Sequence, residues 1–149
     1  MYNTTNVWRR VIAIDLGARR IGVAATDTLR LAAHPYATIA RKGGQGDLDA
    51  IAAVVRELDA ERVVLGLPLG PDGEVGPAAK SAQAFAERLR AALPVPVELI
   101  DESFSTVEAE EVLLEADLSR ANRRQKIDRV AAAVILRRWL DANPVGGAA

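Results

Sequence analysis

Three acids in this chain stand where a carboxylate is poorly solvated: Asp15, Glu102 and Asp128. Asp15 interrupts Val11-Ile12-Ala13-Ile14-Asp15-Leu16, a run otherwise apolar on both faces, which predicts a strand inside a sheet. Glu102 follows Val97-Glu98-Leu99-Ile100-Asp101, at the carboxyl end of another predicted strand. Asp128 falls three, four, seven and eleven residues before Ala131, Ala132, Ile135 and Trp139, so on a helix it shares their apolar face. A carboxylate taken out of water is costly unless a cation, a metal or a set of donors compensates it. The helix dipole offers Asp128 at most about 1 kcal/mol, too little to offset burial. Each acid has an ordinary reading. Asp15 could cap the turn through the amides of Gly17 or Ala18, Asp128 could pair with Arg124 or Arg129, and Glu102 could simply be exposed. Brought together at one sheet edge, the three would repel one another and raise their pKa values. Hard divalent cations, Mg²⁺ or Mn²⁺, answer that repulsion because they take oxygen ligands. Two such ions about 3.5–4 Å apart clamp the attacking and leaving oxygens of a phosphodiester.

The elements that must position these acids follow from periodicity and turn chemistry. Gly17-Ala18-Arg19 reads as a tight turn into a second strand through Ala25, and Leu31–Ile39 as a third strand, with Pro35 suited to an edge. Asp47 is placed to cap a helix running to Asp59, with Leu48, Ile51, Ala52, Val55 and Leu58 on one face. Arg62–Gly66 is a short apolar strand, followed by a turn-rich stretch to Gly76 and a helix from Pro77 to about Ala92. Val95–Ile100 reads as the last strand. Ser105 or Thr106 can cap a further helix, and Asn122 with Gln125 marks the start of a final one reaching about Asp141. This order predicts an α/β, ribonuclease H-like single domain: a five-stranded mixed sheet, three strands antiparallel and two parallel, flanked by helices. In that arrangement the first and fourth strands end side by side. The expected division is an extension over residues 1–9, the ribonuclease H-like domain over 10–142 and a flexible tail over 143–149.

Composition narrows the partners. The 149 residues carry a net charge of −1, with no cysteine, which excludes disulfides and a thiolate nucleophile. Such a balance gives no strong global field, so nucleic acid would have to be held by local patches. Arg19, Arg20, Arg41 and Lys42 form one candidate patch, and Arg120, Arg123, Arg124, Lys126 and Arg129 the densest one. The single histidine, His34, sits beside a proline and suits packing or the surface, so no nucleophilic triad can be assembled. Trp8 and Trp139 read as core or lid residues. The polar N-terminus and the lack of a long apolar run predict a cytoplasmic protein without a membrane segment.

Four motifs in series resemble one family: Asp15-Leu16-Gly17 with Arg20-Ile21-Gly22-Val23-Ala24, Gly66-Leu67-Pro68-Leu69 with Asp72-Gly73, Asp101-Glu102 with Ser105-Thr106, and Lys126-Ile127-Asp128 with Ala131-Ala132-Ala133 and Ile135-Leu136. Over about residues 10 to 140 the chain is similar to the YqgF family, also called RuvX. These are Holliday-junction-resolvase-like proteins described as nucleases of pre-16S ribosomal RNA. The resemblance implies an RNase H-like fold and a metal-dependent endonuclease with Asp15, Glu102 and Asp128 as its carboxylates and Mg²⁺ or Mn²⁺ as cofactor. It further implies a ribosomal RNA precursor or branched DNA as partner, and a monomer or homodimer. Arg20, Arg41, Lys42, Arg123, Arg124 and Lys126 are the expected nucleic-acid contacts. Two departures stand out: Ser103 where the family usually has Arg after the Asp-Glu pair, and Gly70-Pro71 where Asn-Met is common. Arg20 or Lys126 could substitute for the guanidinium missing at Ser103. The rival to a nuclease is a non-catalytic ribosome-assembly or transcription factor on the same scaffold.

Overall fold

Alternation along the first strand sets the architecture, because successive side chains leave opposite faces of a sheet. In β1 (Val11–Leu16), Ile12 and Ile14 point to one face and Val11, Ala13 and Asp15 to the other. The computed structural model describes residues 9–101 and 120–144, the stretch 120–127 as backbone only. β1 pairs antiparallel with β2 (Arg20–Thr26), and β2 antiparallel with β3 (Ala33–Ala40). The chain continues through α1 (Gln45–Leu58), β4 (Arg62–Leu67), α2 (Pro77–Ala92) and β5 (Val97–Asp101), and later α3 (Arg120–Ala142). β4 runs parallel to β1 and β5 parallel to β4, giving the order β3-β2-β1-β4-β5. The expected mixed sheet is the one observed, with the carboxyl ends of β1 and β4 adjacent.

Each face carries its own core. On one, Ile12, Ile14, Ile21, Val23, Val63 and Leu65 pack against Leu48, Ile51 and Val55 of α1 and Phe85 and Leu89 of α2. On the other, Val11, Ala13, Ala24 and Val64 meet Ala132, Ile135, Leu136, Trp139 and Leu140 of α3. The second face is built from smaller residues, so α3 lies close to the sheet. The far end of α3 is tied down by polar contacts as well. Trp139 Nε1 donates to Glu98 Oε1 at 3.0 Å, and Glu98 Oε2 accepts from Arg62 Nη1 at 2.8 Å. Arg30 stacks 5.6 Å from the Trp139 ring centre and pairs with Glu61. Trp139 is thus a core residue. No helix among the described residues is long and apolar enough to cross a membrane.

The element boundaries depart from expectation for identifiable reasons. β3 begins at Ala33 because the Asp27 carboxylate takes the amides of Leu29, Leu31 and Ala32 at 2.8, 3.1 and 3.2 Å. Burial pushes the Asp27 carboxyl up, but those amides and the nearby His34 outweigh it and hold it below the usual carboxylate range. β3 is the edge strand, as Pro35 required, and an irregularity between Val23 and Ala24 adjusts its register. β5 begins at Val97 because Pro96 has no N–H; its carbonyl still accepts from Val63 N at 2.9 Å. Asn122 does not start α3, which is already helical at Arg120. The helix expected after Ser105, together with Trp8, lies outside the described residues.

Asp47 is not the N-cap of α1. Gly44 holds that position at φ 70° and ψ −158°, a conformation open only to glycine. Asp47 sits in the first turn, 3% exposed, and its two oxygens accept the amides of Lys42 and Gly43, each at 2.9 Å. Removing this carboxylate strands two backbone donors. Asp47→Ala should therefore lower stability by about 1–3 kcal/mol, read from urea denaturation; an unchanged midpoint would mean the amides find other acceptors.

Candidate active site

Gly22 decides where the acids meet. It pairs directly with Asp15 across the β1–β2 ladder, so the two residues face the same side of the sheet, the side covered by α3. A Cβ built on Gly22 would lie 1.9 Å from the Asp128 carbonyl oxygen. The helix backbone therefore rests where a side chain would otherwise stand. Directly paired Cβ positions are about 5 Å apart, which puts the Asp128 backbone within roughly 7 Å of the Asp15 Cβ. Asp15 is 8% exposed and the Asp128 side chain 16%. Two acids separated by most of the chain thus converge on one buried face.

The ordinary reading of Asp15 as a turn cap loses one of its donors, since the Gly17 amide donates to the Arg20 carbonyl at 2.9 Å. Asp128 does have an ion-pair partner on the sheet beneath it: Arg20 Nε donates to Asp128 Oδ2 at 2.6 Å. Glu102 lies outside the described residues. Asp101 before it closes β5 in register with Leu67, two residues beyond the Ile14–Leu65 pair that aligns β1 with β4. The carboxyl end of β5 is two strands from β1, about 10 Å away. The donor set that Asp15 and Asp128 present is oxygen only, on one face and half withdrawn from water. That chemistry fits a hard divalent cation such as Mg²⁺ or Mn²⁺.

The basic residues divide. Arg41 Nη1 donates to the Gly17 carbonyl at 2.7 Å, and its guanidinium lies 5.9 Å from the Phe85 ring centre, so it braces the hairpin turn. Arg19 and Lys42 are exposed on the same rim. The side chains of Arg123, Arg124 and Lys126 lie outside the described residues, though their backbone forms the turns of α3 before Asp128. His34 is exposed, with Nε2 3.7 Å from Asp27 Oδ2, away from the acids. The stretch after β4 folds on itself. Gly70 N donates to the Glu74 carbonyl and Asp72 N to Glu74 Oε2, each at 2.9 Å. The Glu74 carboxylate occupies the space a Cβ on Gly70 would need. The residue sequence reasoning overlooked is Gly22, whose signal was present: a glycine inside a strand often marks a close backbone approach.

Residues 9–142 match the model of the RuvX family, described as Holliday junction resolvase. The chain belongs to the RuvX family. A RuvX relative from Myxococcus xanthus (strain DK1622) is 50% identical over 134 residues, spanning 90% of this chain and 89% of its own. Another, from Syntrophomonas wolfei, is 43% identical over 137 residues, spanning 92% and 97%. Both carry the provisional name pre-16S rRNA nuclease. Among solved structures, Thermus thermophilus RuvC in complex with Holliday junction substrate matches at a TM-score of 0.53 and 16% identity, over 89% of this chain and 94% of that one. That likeness is one of fold, and the RuvX chain is RNase H-like.

A methyl group at position 22 would collide with backbone, which cannot rotate aside. Gly22→Ala should push α3 off the sheet and cost about 1–3 kcal/mol or more in chemical denaturation, while substitution at the exposed Gly46 should not reproduce a loss of that kind.

Proposed function

We propose that this RuvX protein is a nuclease that hydrolyses phosphodiester bonds in structured nucleic acid, with precursor 16S ribosomal RNA as its substrate. Asp15, Glu102 and Asp128 are its catalytic carboxylates and would hold Mg²⁺ or Mn²⁺. The observation that carries the proposal is the convergence of Asp15 and Asp128 across Gly22, at the end of the sheet where β5 also finishes at Asp101. The choice of RNA over a four-way junction follows the names of the relatives that are 50% and 43% identical.

When bound, Mg²⁺ or Mn²⁺ supplies Lewis-acid stabilisation of the phosphate charge and a more acidic water nucleophile. This chain's own residues supply the setting. Asp15 is fixed by its place in a central strand, which withholds it from bulk water. Asp128 is fixed by the contact of its own backbone with Gly22. Arg19 and Lys42 on the hairpin rim, and Arg123, Arg124 and Lys126 on the turns before Asp128, would bind phosphates flanking the scissile bond.

Incubation of precursor 16S rRNA and of a four-way DNA junction with the purified protein and Mg²⁺ or Mn²⁺ tests the proposal. Cleavage of the RNA that vanishes in Asp15→Asn and Asp128→Asn is the expected outcome. Binding of both substrates with cleavage of neither would leave the non-catalytic factor. Divalent ion should also raise the melting temperature of the wild type by mass action. Asp15→Asn should be neutral or more stable without added ion, because carboxylate repulsion is relieved, and should lose the ion response. A retained response would remove Asp15 from the ligand set.

The basic turns of α3 make a separate prediction. Arg123→Ala with Arg124→Ala should weaken RNA binding across sequences and lower the slope of log affinity against log salt by roughly 0.7–0.9 for each phosphate no longer neutralised. Metal affinity should stay the same. An equal salt slope in the double variant would shift the binding surface to Arg19 and Lys42.

A further inference from the structure

Resting on the metal-dependent nuclease reading above, we propose that Arg20 and a divalent cation compete for Asp128, so that cation binding releases the Arg20 guanidinium to the nucleic-acid backbone. Arg20 Nε donates to Asp128 Oδ2 at 2.6 Å, a short charge-assisted bond. The pair is partly buried, with side chains 35% and 16% exposed, so it is less screened than a fully exposed pair. Oδ2 belongs to the carboxylate that would ligate the ion. An ion ligated by that oxygen would have to share the carboxylate with the guanidinium, and two cations drawn to one carboxylate repel each other unless further negative charge is supplied. The phosphodiester supplies that charge.

The backbone of Arg20 is held on both sides. Its carbonyl accepts from Gly17 N at 2.9 Å, and the residue pairs with Ala40 of β3. Release therefore means rotation of the side chain alone, toward the third of its surface that already meets solvent. Arg20 is the first residue of β2, immediately after the hairpin turn that carries exposed Arg19, so the freed guanidinium emerges on the basic rim. A cation thus does two things at this site: it takes the carboxylate, and it adds a positive fork to the substrate surface. Substrate contact by Arg20 is conditional on the ion. Arg20 is a positioning residue in one state and a phosphate ligand in the other.

Three measurements on the full chain test this. Calorimetric titration with Mn²⁺ alone should show Arg20→Gln binding the ion about tenfold more tightly than wild type, since no guanidinium has to be displaced. Fluorescence anisotropy with a labelled RNA stem-loop should show the same variant unchanged in EDTA but weakened about tenfold in Ca²⁺, a loss confined to the ion-loaded protein. In the wild type, where folding of a variant is not at issue, the Arg20 Nε–Hε resonance should move as Mg²⁺ saturates. Equal Mn²⁺ affinity in both proteins, with an Nε–Hε resonance unmoved at saturating Mg²⁺, overturns the competition and leaves the metal site standing. A loss of RNA affinity equal in EDTA and Ca²⁺ overturns it too. Absence of Mn²⁺ binding to either protein overturns both the competition and the metal site.

Discussion

Helix α3 reaches the sheet at Gly22 with no side chain between them, and the Asp128 carbonyl oxygen takes the place a Cβ would fill. Much else follows from that contact. Because Gly22 is the ladder partner of Asp15, the contact fixes the distance between the two acids. It also explains the small residues around it, Ala13 and Ala24 on the sheet and Ala131 and Ala132 on the helix, all fully buried. Larger side chains there would lift the helix and separate the carboxylates. The site is thus set by backbone proximity, the least adjustable quantity in a packed interior.

Burying two carboxylates on one face demands positive charge, and the chain answers locally rather than by composition. Many of its arginines are engaged elsewhere: Arg9 with Asp59, Arg30 with Glu61, Arg62 with Glu98, Arg90 with Glu87, and Arg41 on the Gly17 carbonyl. A net charge of −1 therefore understates how unevenly the charge is distributed. Among the described residues, the candidate site has the Arg20 guanidinium on Asp128 and a rim with exposed Arg19 and Lys42.

Legibility in the sequence tracked the range of the interaction concerned. The apolar run around Asp15 and the helical spacing around Asp128 are local patterns, and they placed both acids on the correct face. The strand order was legible because short connections leave few topologies open. Arg20 was legible as a basic residue near the site but not as the partner of Asp128, 108 residues away. Nothing in either segment encodes that pairing. Asp47 was misplaced for a subtler reason: its spacing suits a cap, but two glycines with positive φ let the chain double back so that the carboxylate meets the preceding amides. Asp27 likewise delayed β3 through three amide bonds that no periodicity reveals. The glycine within β2 was the one legible signal passed over.

The clasp of Trp139, Glu98, Arg62 and Arg30 sits at the opposite end of the molecule from the acids, yet it belongs to the same helix as Asp128. The helix is a rigid arm, and eleven residues of it span about 16 Å. A tilt of only about 4° at the clasp would carry Asp128 by about 1 Å, beyond the roughly 0.5 Å tolerance of a functional constellation. The clasp is in that sense the fulcrum of the candidate site. Residues there that never approach a phosphate hold the far end of an arm whose near end rests on Gly22.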